Sequence, residues 1–201
     1  MTVKGIRVAF LAYTELTNGI PLAHPWSVNL ASAARILADA HRARLAGARV
    51  VIVNLHWGDE YAAQPSRFQL ALAARLTRSP DITAIVGQHA HVVQPIRAVN
   101  GKLVVFGEGN LISNQTSACC PAASQDGMIV LLTIRIDGRG ARVIFIRYVP
   151  VWVRHPDYTV LPAGIAWRTD PADAAALRAS YERTVTVAGR GPGIQPIPGH
   201  L

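Results

Sequence analysis

No stretch of this sequence reaches the roughly 20 consecutive apolar residues that span a bilayer as a helix. The longest apolar runs are strand-sized, as in Arg49-Val50-Val51-Ile52-Val53-Asn54-Leu55. The N-terminus, Met1-Thr2-Val3-Lys4-Gly5, lacks the charged, apolar and small-residue order of a signal peptide, so the default expectation is a cytoplasmic chain. Cysteine is scarce. Its two copies, Cys119 and Cys120, are neighbours, which predicts no ordinary structural disulfide. Aromatics are few (6%) and are not interleaved with basic residues, which argues against a nucleic-acid platform. Charge is low too, at 16%, and half of the 201 residues are apolar, enough to drive collapse and exclude disorder as the main state. There is no dinucleotide glycine fingerprint, no phosphate-binding Gly-Lys-Ser/Thr loop and no nucleophile elbow. The net charge of +8 is spread along the chain, giving a scattered basic surface compatible with acidic substrates.

What is present is a clear order of elements. Residues 6–13, 49–55 and 82–86 are short apolar runs without polar alternation, the signature of strands buried on both faces. Helical spacing over 28–46 and 65–78 separates them, with Gly47 and Pro80 as stop signals. This β-α-β-α-β order predicts a parallel sheet covered by helices. After Gly87 the pattern changes. Residues 92–98 and 102–106 flank Asn100-Gly101, a hairpin signal, and 128–136 and 141–149 flank a second turn at 137–140. Residues 151–161 add a short strand. A helix is expected from Pro171 to about Val187, capped by Asp170. The fold class is therefore α/β, with α+β character in the second half. One domain covers residues 1–188, and a Gly- and Pro-rich tail, 189–201, is expected to be disordered.

Three histidines fall where this topology places ligands. His56 follows the second strand, and His89 and His91 follow the third, in Gly87-Gln88-His89-Ala90-His91. Ligands of open parallel sheets bind beyond the carboxyl ends of the strands. Neutral imidazole is a common ligand of Zn, Mn and Fe ions. His56, His89 and His91 are thus the candidate metal ligands. Asp59 and Glu60, just past His56, are candidates for ligation, for holding a histidine, or for acid–base work. His24, His41, His155 and His200 read as loop, helix-surface and tail residues.

These segments also resemble a known family. Val51-Ile52-Val53-Asn54-Leu55-His56-Trp57-Gly58-Asp59-Glu60-Tyr61 resembles the His-Trp-Gly-x-Glu block of the poly-γ-glutamate capsule-synthesis (CapA-type) family. Ala84-Ile85-Val86-Gly87-Gln88-His89-Ala90-His91-Val92-Val93-Gln94 resembles its Gly-x-His-x-His block, and Val104-Val105-Phe106-Gly107-Glu108-Gly109-Asn110-Leu111-Ile112 its later Gly-Asn-Phe block. The resemblance implies a calcineurin-like metallophosphatase fold, a two-layer β core flanked by helices. It implies that His56 and His89 bind one divalent ion and His91 a second (Mn, Fe or Zn), with His56 and Glu60 as catalytic residues. It also implies partners in capsule-synthesis machinery or an acidic polymer, and a membrane-associated or extracytoplasmic setting. The family's upstream Gly-Asp, Asn-x-Glu and Asn-Asn-His blocks have no counterpart here, and Glu108 and Leu111 replace apolar and aromatic residues. The expectation is accordingly the C-terminal half of such a domain, with an incomplete two-metal site unless another chain donates the rest. Two further readings are a non-catalytic subunit that binds a partner, or a second copy of itself, through an exposed sheet edge, and a mononuclear zinc hydrolase using the three histidines and water.

Overall fold

The computed structural model describes residues 1–197. In chain order the elements are β1 (Thr2–Val3), β2 (Ile6–Thr14), α1 (Ala33–Leu45), β3 (Val50–Trp57), α2 (Arg67–Leu76), β4 (Ala84–His89), β5 (Ile96–Val99) and β6 (Lys102–Val105). A 3₁₀ turn (Ala122–Gln125) then leads into β7 (Asp126–Asp137), β8 (Gly140–Val153), β9 (Val160–Pro162), α3 (Ala163–Thr169), α4 (Ala174–Ala188) and β10 (Ile194–Pro196).

Six strands form one sheet in the order β1-β2-β3-β4-β6-β5. Within it β2, β3, β4 and β6 run parallel, and β1 and β5 join antiparallel at the two edges. The second sheet is ordered β10-β8-β7, with β9 paired to β8. The two-residue period of β3 explains the layering. Val51, Val53, Leu55 and Trp57 face one way and pack with Ile36 and Ala40 of α1 and Leu72, Ala73 and Leu76 of α2. Val50 and Ile52 face the other way and meet Met128, Ile146 and Tyr148 of the second sheet, with Val185 of α4. The result is the expected α/β architecture: two sheets face to face, parallel strands first and an antiparallel hairpin after.

The Asn100-Gly101 hairpin forms as its sequence predicts. Both residues take positive φ, 48° and 75°, and Val99 pairs with Lys102 across the turn. β6 also pairs parallel with β4, so this hairpin closes the first sheet.

Several boundaries move. α1 starts at Ala33, not at residue 28, because the backbone around Leu30 is tied to the end of β2: Thr14 N–H donates to the Asn29 carbonyl and Ala31 N–H to the Thr14 carbonyl. β3 runs on to Trp57 and β4 to His89, so His56 and His89 lie within strands and not after them. α3 has no counterpart in the sequence reading. It is one short turn pair, broken in pattern by Gly164, that buries Ala163 and Ala166 against Trp152 and Leu177. Asp173, not Asp170, precedes α4; Asp170 ends α3 and accepts from Arg154. The tail expected to be disordered adds a parallel strand to β8 instead, because Ile194 packs on the core between the sheets. Residues 198–201, with His200, lie outside the described residues. The sulfurs of Cys119 and Cys120 meet as a vicinal disulfide, which the sequence reading did not expect.

Candidate metal centre at the carboxyl edge of the first sheet

The row of side chains that begins with Val50 and Ile52 turns polar as β3 ends, at Asn54 and His56. The neighbouring strands do the same. Thr14 is in register with His56, and His56 with Gln88. The parallel pairing therefore sets Thr14, His56 and Gln88 side by side at the carboxyl edge. A solvent-open cleft lined by Thr14, Asn29, Asn54, His56 and Gln88 opens there.

His89 pairs with Trp57, so regular alternation would turn it away from His56. Its φ of 102° breaks that alternation. His89 Nδ1 comes to 3.1 Å from His56 Nε2, with ring centroids 4.3 Å apart. His91 (φ 57°) follows, its ring centroid 6.3 Å from that of His89. Positive φ at two non-glycine residues in one turn is a strained arrangement of the kind that clusters at functional sites. The loop after β3 holds the turn in place. Tyr61 N–H donates to the Ala90 carbonyl at 2.7 Å, and the Tyr61 ring stacks on His91 at 6.1 Å.

Two partners decide which nitrogen of each ring carries the proton. The Thr14 hydroxyl sits 2.6 Å from the Leu16 carbonyl, which can only accept, so its hydrogen points there. His56 Nδ1, 2.8 Å from the same hydroxyl oxygen, must then donate to it, and Nε2 keeps its lone pair. Asn110 Nδ2 donates to the Ser124 carbonyl at 2.8 Å, which orients the amide. Asn110 Oδ1 then faces His91 Nδ1 at 3.0 Å and accepts from it, leaving the Nε2 lone pair of His91 free. Burial and the neighbouring His89 and His91 hold the His56 pKa below its ordinary 6.5, so the ring stays neutral at pH 7. Neutral, Nδ1-protonated imidazoles offering Nε2 are the form that ligates metals.

A buried amide pair supports the loop from below. Gln69 Nε2 donates to Gln94 Oε1 at 2.7 Å, Gln94 Nε2 to the Ala62 carbonyl at 2.9 Å, and the Ser66 N–H to Gln69 Oε1 at 2.8 Å. Trp57 Nε1 donates to the Phe106 carbonyl at 2.9 Å, linking β3 to the end of β6.

The fold thus brings His56, His89 and His91 to one edge. Asp59 and Glu60 stand exposed on the loop beside them, with no hydrogen bond to any of the three rings. The sequence reading missed Thr14, Glu15 and Asn110. Glu15 accepts from the Gly58 N–H at 2.8 Å, so its carboxylate lies beside the His56-Trp57-Gly58 turn. Its position directly after a strand of the same parallel set was the available signal. Glu108, at the same edge, is pushed up in pKa by burial and takes a long 3.4 Å bond from Gln88. Among the described residues no group of three or more His, Cys, Asp or Glu side chains is arranged to hold an ion. The edge therefore gathers two convergent imidazoles and a third close by, without a carboxylate in contact.

Known proteins match the same part of the chain. The capsule biosynthesis protein CapA of Bacillus anthracis is 33% identical over 119 residues, 56% of this chain and 28% of its own length. The PGA biosynthesis protein CapA of Bacillus subtilis (strain 168) is 31% identical over 124 residues, 56% of this chain and 30% of its own length. The chain thus spans under a third of the length of these curated relatives. Among solved structures, a sulfate thiohydrolase SoxB of Thermus thermophilus in complex with glycerol superposes with a TM-score of 0.42 at 19% identity, over 89% of this chain and 26% of that one; a likeness at this level has no bearing on function. The profile of the bacterial capsule synthesis protein family PGA_cap matches residues 1–115, from β1 through Asn110 and the start of the loop beyond it, and this chain belongs to that family.

Proposed function

We propose that this protein supplies the histidine side of a divalent-metal centre for phosphoester-type hydrolysis, in the synthesis of a capsule or another cell-envelope polymer. The observation that carries this reading is the hydrogen bonding of the rings: Nδ1 of His56 faces the Thr14 hydroxyl, Nδ1 of His91 faces Asn110 Oδ1, and the lone pair of His56 Nε2 is turned to His89 Nδ1 at 3.1 Å. Such preparation is wasted on rings that merely face solvent. His56 and His89 would share one ion (Zn, Mn or Fe), and His91 would face a second. A bound ion supplies Lewis acidity and lowers the pKa of water. The chain's own contributions are the fixed rings, the Tyr61 loop that shields His91, and the carboxylates of Glu15 and Glu60, the latter placed to exchange protons with solvent. The +8 charge suits an acidic polymer as partner.

A second reading, a partner-binding subunit, draws on the edge of β2. β1 covers that edge only as far as Val8, and Phe10 beyond it is 54% exposed. An unpaired strand edge of this kind accepts another strand.

Metal titration of the purified chain by calorimetry, with phosphomonoesterase and phosphodiesterase assays, tests the first reading. The expected result is weak binding of one divalent ion, lost in His89→Ala, with little or no turnover, because adjacent dications need carboxylates to offset their repulsion. Robust turnover abolished by His89→Ala would show a complete enzyme and overturn the half-site reading. Equal metal binding by the His89→Ala variant would overturn the metal reading itself.

A further inference from the structure

Both cysteines of the chain lie in the loop between β6 and the 3₁₀ turn, joined as the vicinal disulfide Cys119–Cys120. Bridging sequence neighbours encloses no stretch of chain. The stabilisation that a disulfide gives by restricting the unfolded state grows with the loop it closes, so this bond is a poor structural staple. Its setting is not that of a core staple either: Cys119 is exposed and Cys120 half-buried. Exposed disulfides are the labile ones, which thiols reduce readily.

Each sulfur also faces a group suited to a thiol. The Thr116 carbonyl accepts from the N–H groups of Cys119 and Cys120 at 3.1 and 2.9 Å and lies 3.4 Å from Cys119 Sγ. A Cys119 thiol would donate to it with the backbone in place. On the other side the Tyr61 hydroxyl stands 3.9 Å from Cys120 Sγ and donates to it. Tyr61 carries this contact to the histidine edge, because its ring stacks on His91. A second route runs through Gln115, whose Nε2 donates to the Tyr61 hydroxyl at 3.1 Å and whose Oε1 accepts from Asn110 Nδ2 at 3.4 Å. Asn110 is the residue whose Oδ1 faces His91 Nδ1.

We propose that Cys119–Cys120 is a thiol–disulfide exchange site, opened by a dithiol reductant and closed by a small-molecule disulfide, and that its state sets the position of Tyr61 over His91. A thiolate of the reductant attacks the exposed Cys119 Sγ. The S–S bond breaks, and Cys120 leaves as a thiolate that takes a proton from solvent beside the Tyr61 hydroxyl. The reductant's second thiolate then attacks its own sulfur in the mixed disulfide and releases Cys119, which is protonated and donates to Thr116. The dithiol is oxidised to a cyclic disulfide and the pair is reduced by the same two electrons, with the protons exchanged through solvent. Once open, the sulfurs rotate independently about their own Cα–Cβ bonds. Cys120 no longer holds the Tyr61 hydroxyl, and the stack on His91 loosens. The inference rests on the contacts of this loop and needs no metal.

The probe is dithiothreitol, added to the metal-free full chain, with iodoacetamide alkylation read by mass spectrometry. No alkylated cysteine is expected before reduction, and both cysteines after it. Nitrogen-15 imidazole and backbone amide spectra of the same samples should show His91 and Tyr61 shifting on reduction and returning when oxidised glutathione replaces the dithiol. The double variant Cys119→Ala, Cys120→Ala should fold like the parent, since the bond closes no loop, and its His91 signal should ignore the reductant. Tyr61→Phe keeps the ring but removes the hydroxyl, so the thiol count should stay the same while the His91 shift shrinks. Two alkylated cysteines before reduction, none after it, or a His91 signal unchanged between the two states would overturn the proposal. So would a His91 response to dithiothreitol that persists in the double variant.

Discussion

The first sheet and the second reach stability by opposite routes. The first is assembled from short strands joined through helices, and its central strands end abruptly in polar residues at one edge: Thr14, His56, Gln88 and His89. The second is dominated by a single long hairpin, with β7 and β8 paired from Asp126↔Trp152 to Asp137↔Gly140. A hairpin needs no shared edge, so nothing about its topology concentrates polar side chains in one place. Parallel strands all point the same way and do so by construction. The candidate site accordingly belongs to the first sheet, and the second covers its open face. The division is not complete, however. Asn110, which orients His91, donates its backbone N–H to the Asp126 carbonyl at 3.1 Å and its side-chain amide to the Ser124 carbonyl. The covering sheet begins where the site needs a fixed point.

The strongest way to break the first sheet alone is at Gly87. A Cβ there would lie 1.9 Å from the Phe106 carbonyl oxygen and 2.3 Å from Trp57 Nε1. Neither neighbour can move freely, since Phe106 is backbone and Trp57 is fully buried. Gly87→Ala should cost about 4 kcal/mol or more, among the largest single-residue effects, and lose the Trp57–Phe106 bond. Urea unfolding followed by tryptophan fluorescence measures this. A loss below about 1 kcal/mol would mean that the β4–β6 junction is looser than its geometry.

The junction between the sheets is probed at Gly127. A Cβ there would stand 2.1 Å from the Asn110 carbonyl oxygen. Gly127→Ala should cost about 2–3 kcal/mol and displace Asn110 from His91. The His91 ring would then lose its fixed Nδ1–H tautomer, which nitrogen-15 imidazole spectra read directly. Destabilisation with an unchanged His91 signal would show that the second sheet covers the site without orienting it.

The same contrast governs what could be read from the sequence. Strands buried on both faces, with helices between them, announce β2, β3 and β4 through unbroken apolar runs, and the Asn100-Gly101 turn announces β5 and β6. Strand direction alone brings His56, His89 and His91 to the same edge of the sheet. What was hidden depends on backbone dihedrals and long-range partners. No local pattern says that His89 takes a φ of 102° and so meets His56, or that Thr14, 42 residues before it, supplies the proton acceptor for that ring. The family resemblance drew attention to Glu60, while Glu15 accepts the Gly58 N–H because β2 and β3 are adjacent. In the second half, α3 is too short and too interrupted by Gly164 to show helical periodicity. β10 is three residues in a Gly- and Pro-rich stretch, ordered only because the edge of β8 receives it.

The smallest effect concerns proton linkage at His56. Burial, then the charges of His89 and His91, hold its folded pKa below 6.5. The unfolded chain takes up this proton near pH 6.5, the folded chain only at lower pH. Between those values the unfolded state binds more protons, so stability falls as pH drops. The contribution is present in full above pH 6.5 and is lost on acidification through the folded pKa. His56→Asn removes the titrating group. Its absolute stability changes for other reasons, including the bond to Thr14, so the informative quantity is the slope. Unfolding free energies of parent and variant at pH 7 and pH 5 should show a smaller acid loss in the variant. Parallel losses would mean that the His56 ring is as open to protonation in the fold as in water. The carboxyl edge of the first sheet would then hold His56 without keeping it neutral, and the contrast with the covering sheet would rest on geometry alone.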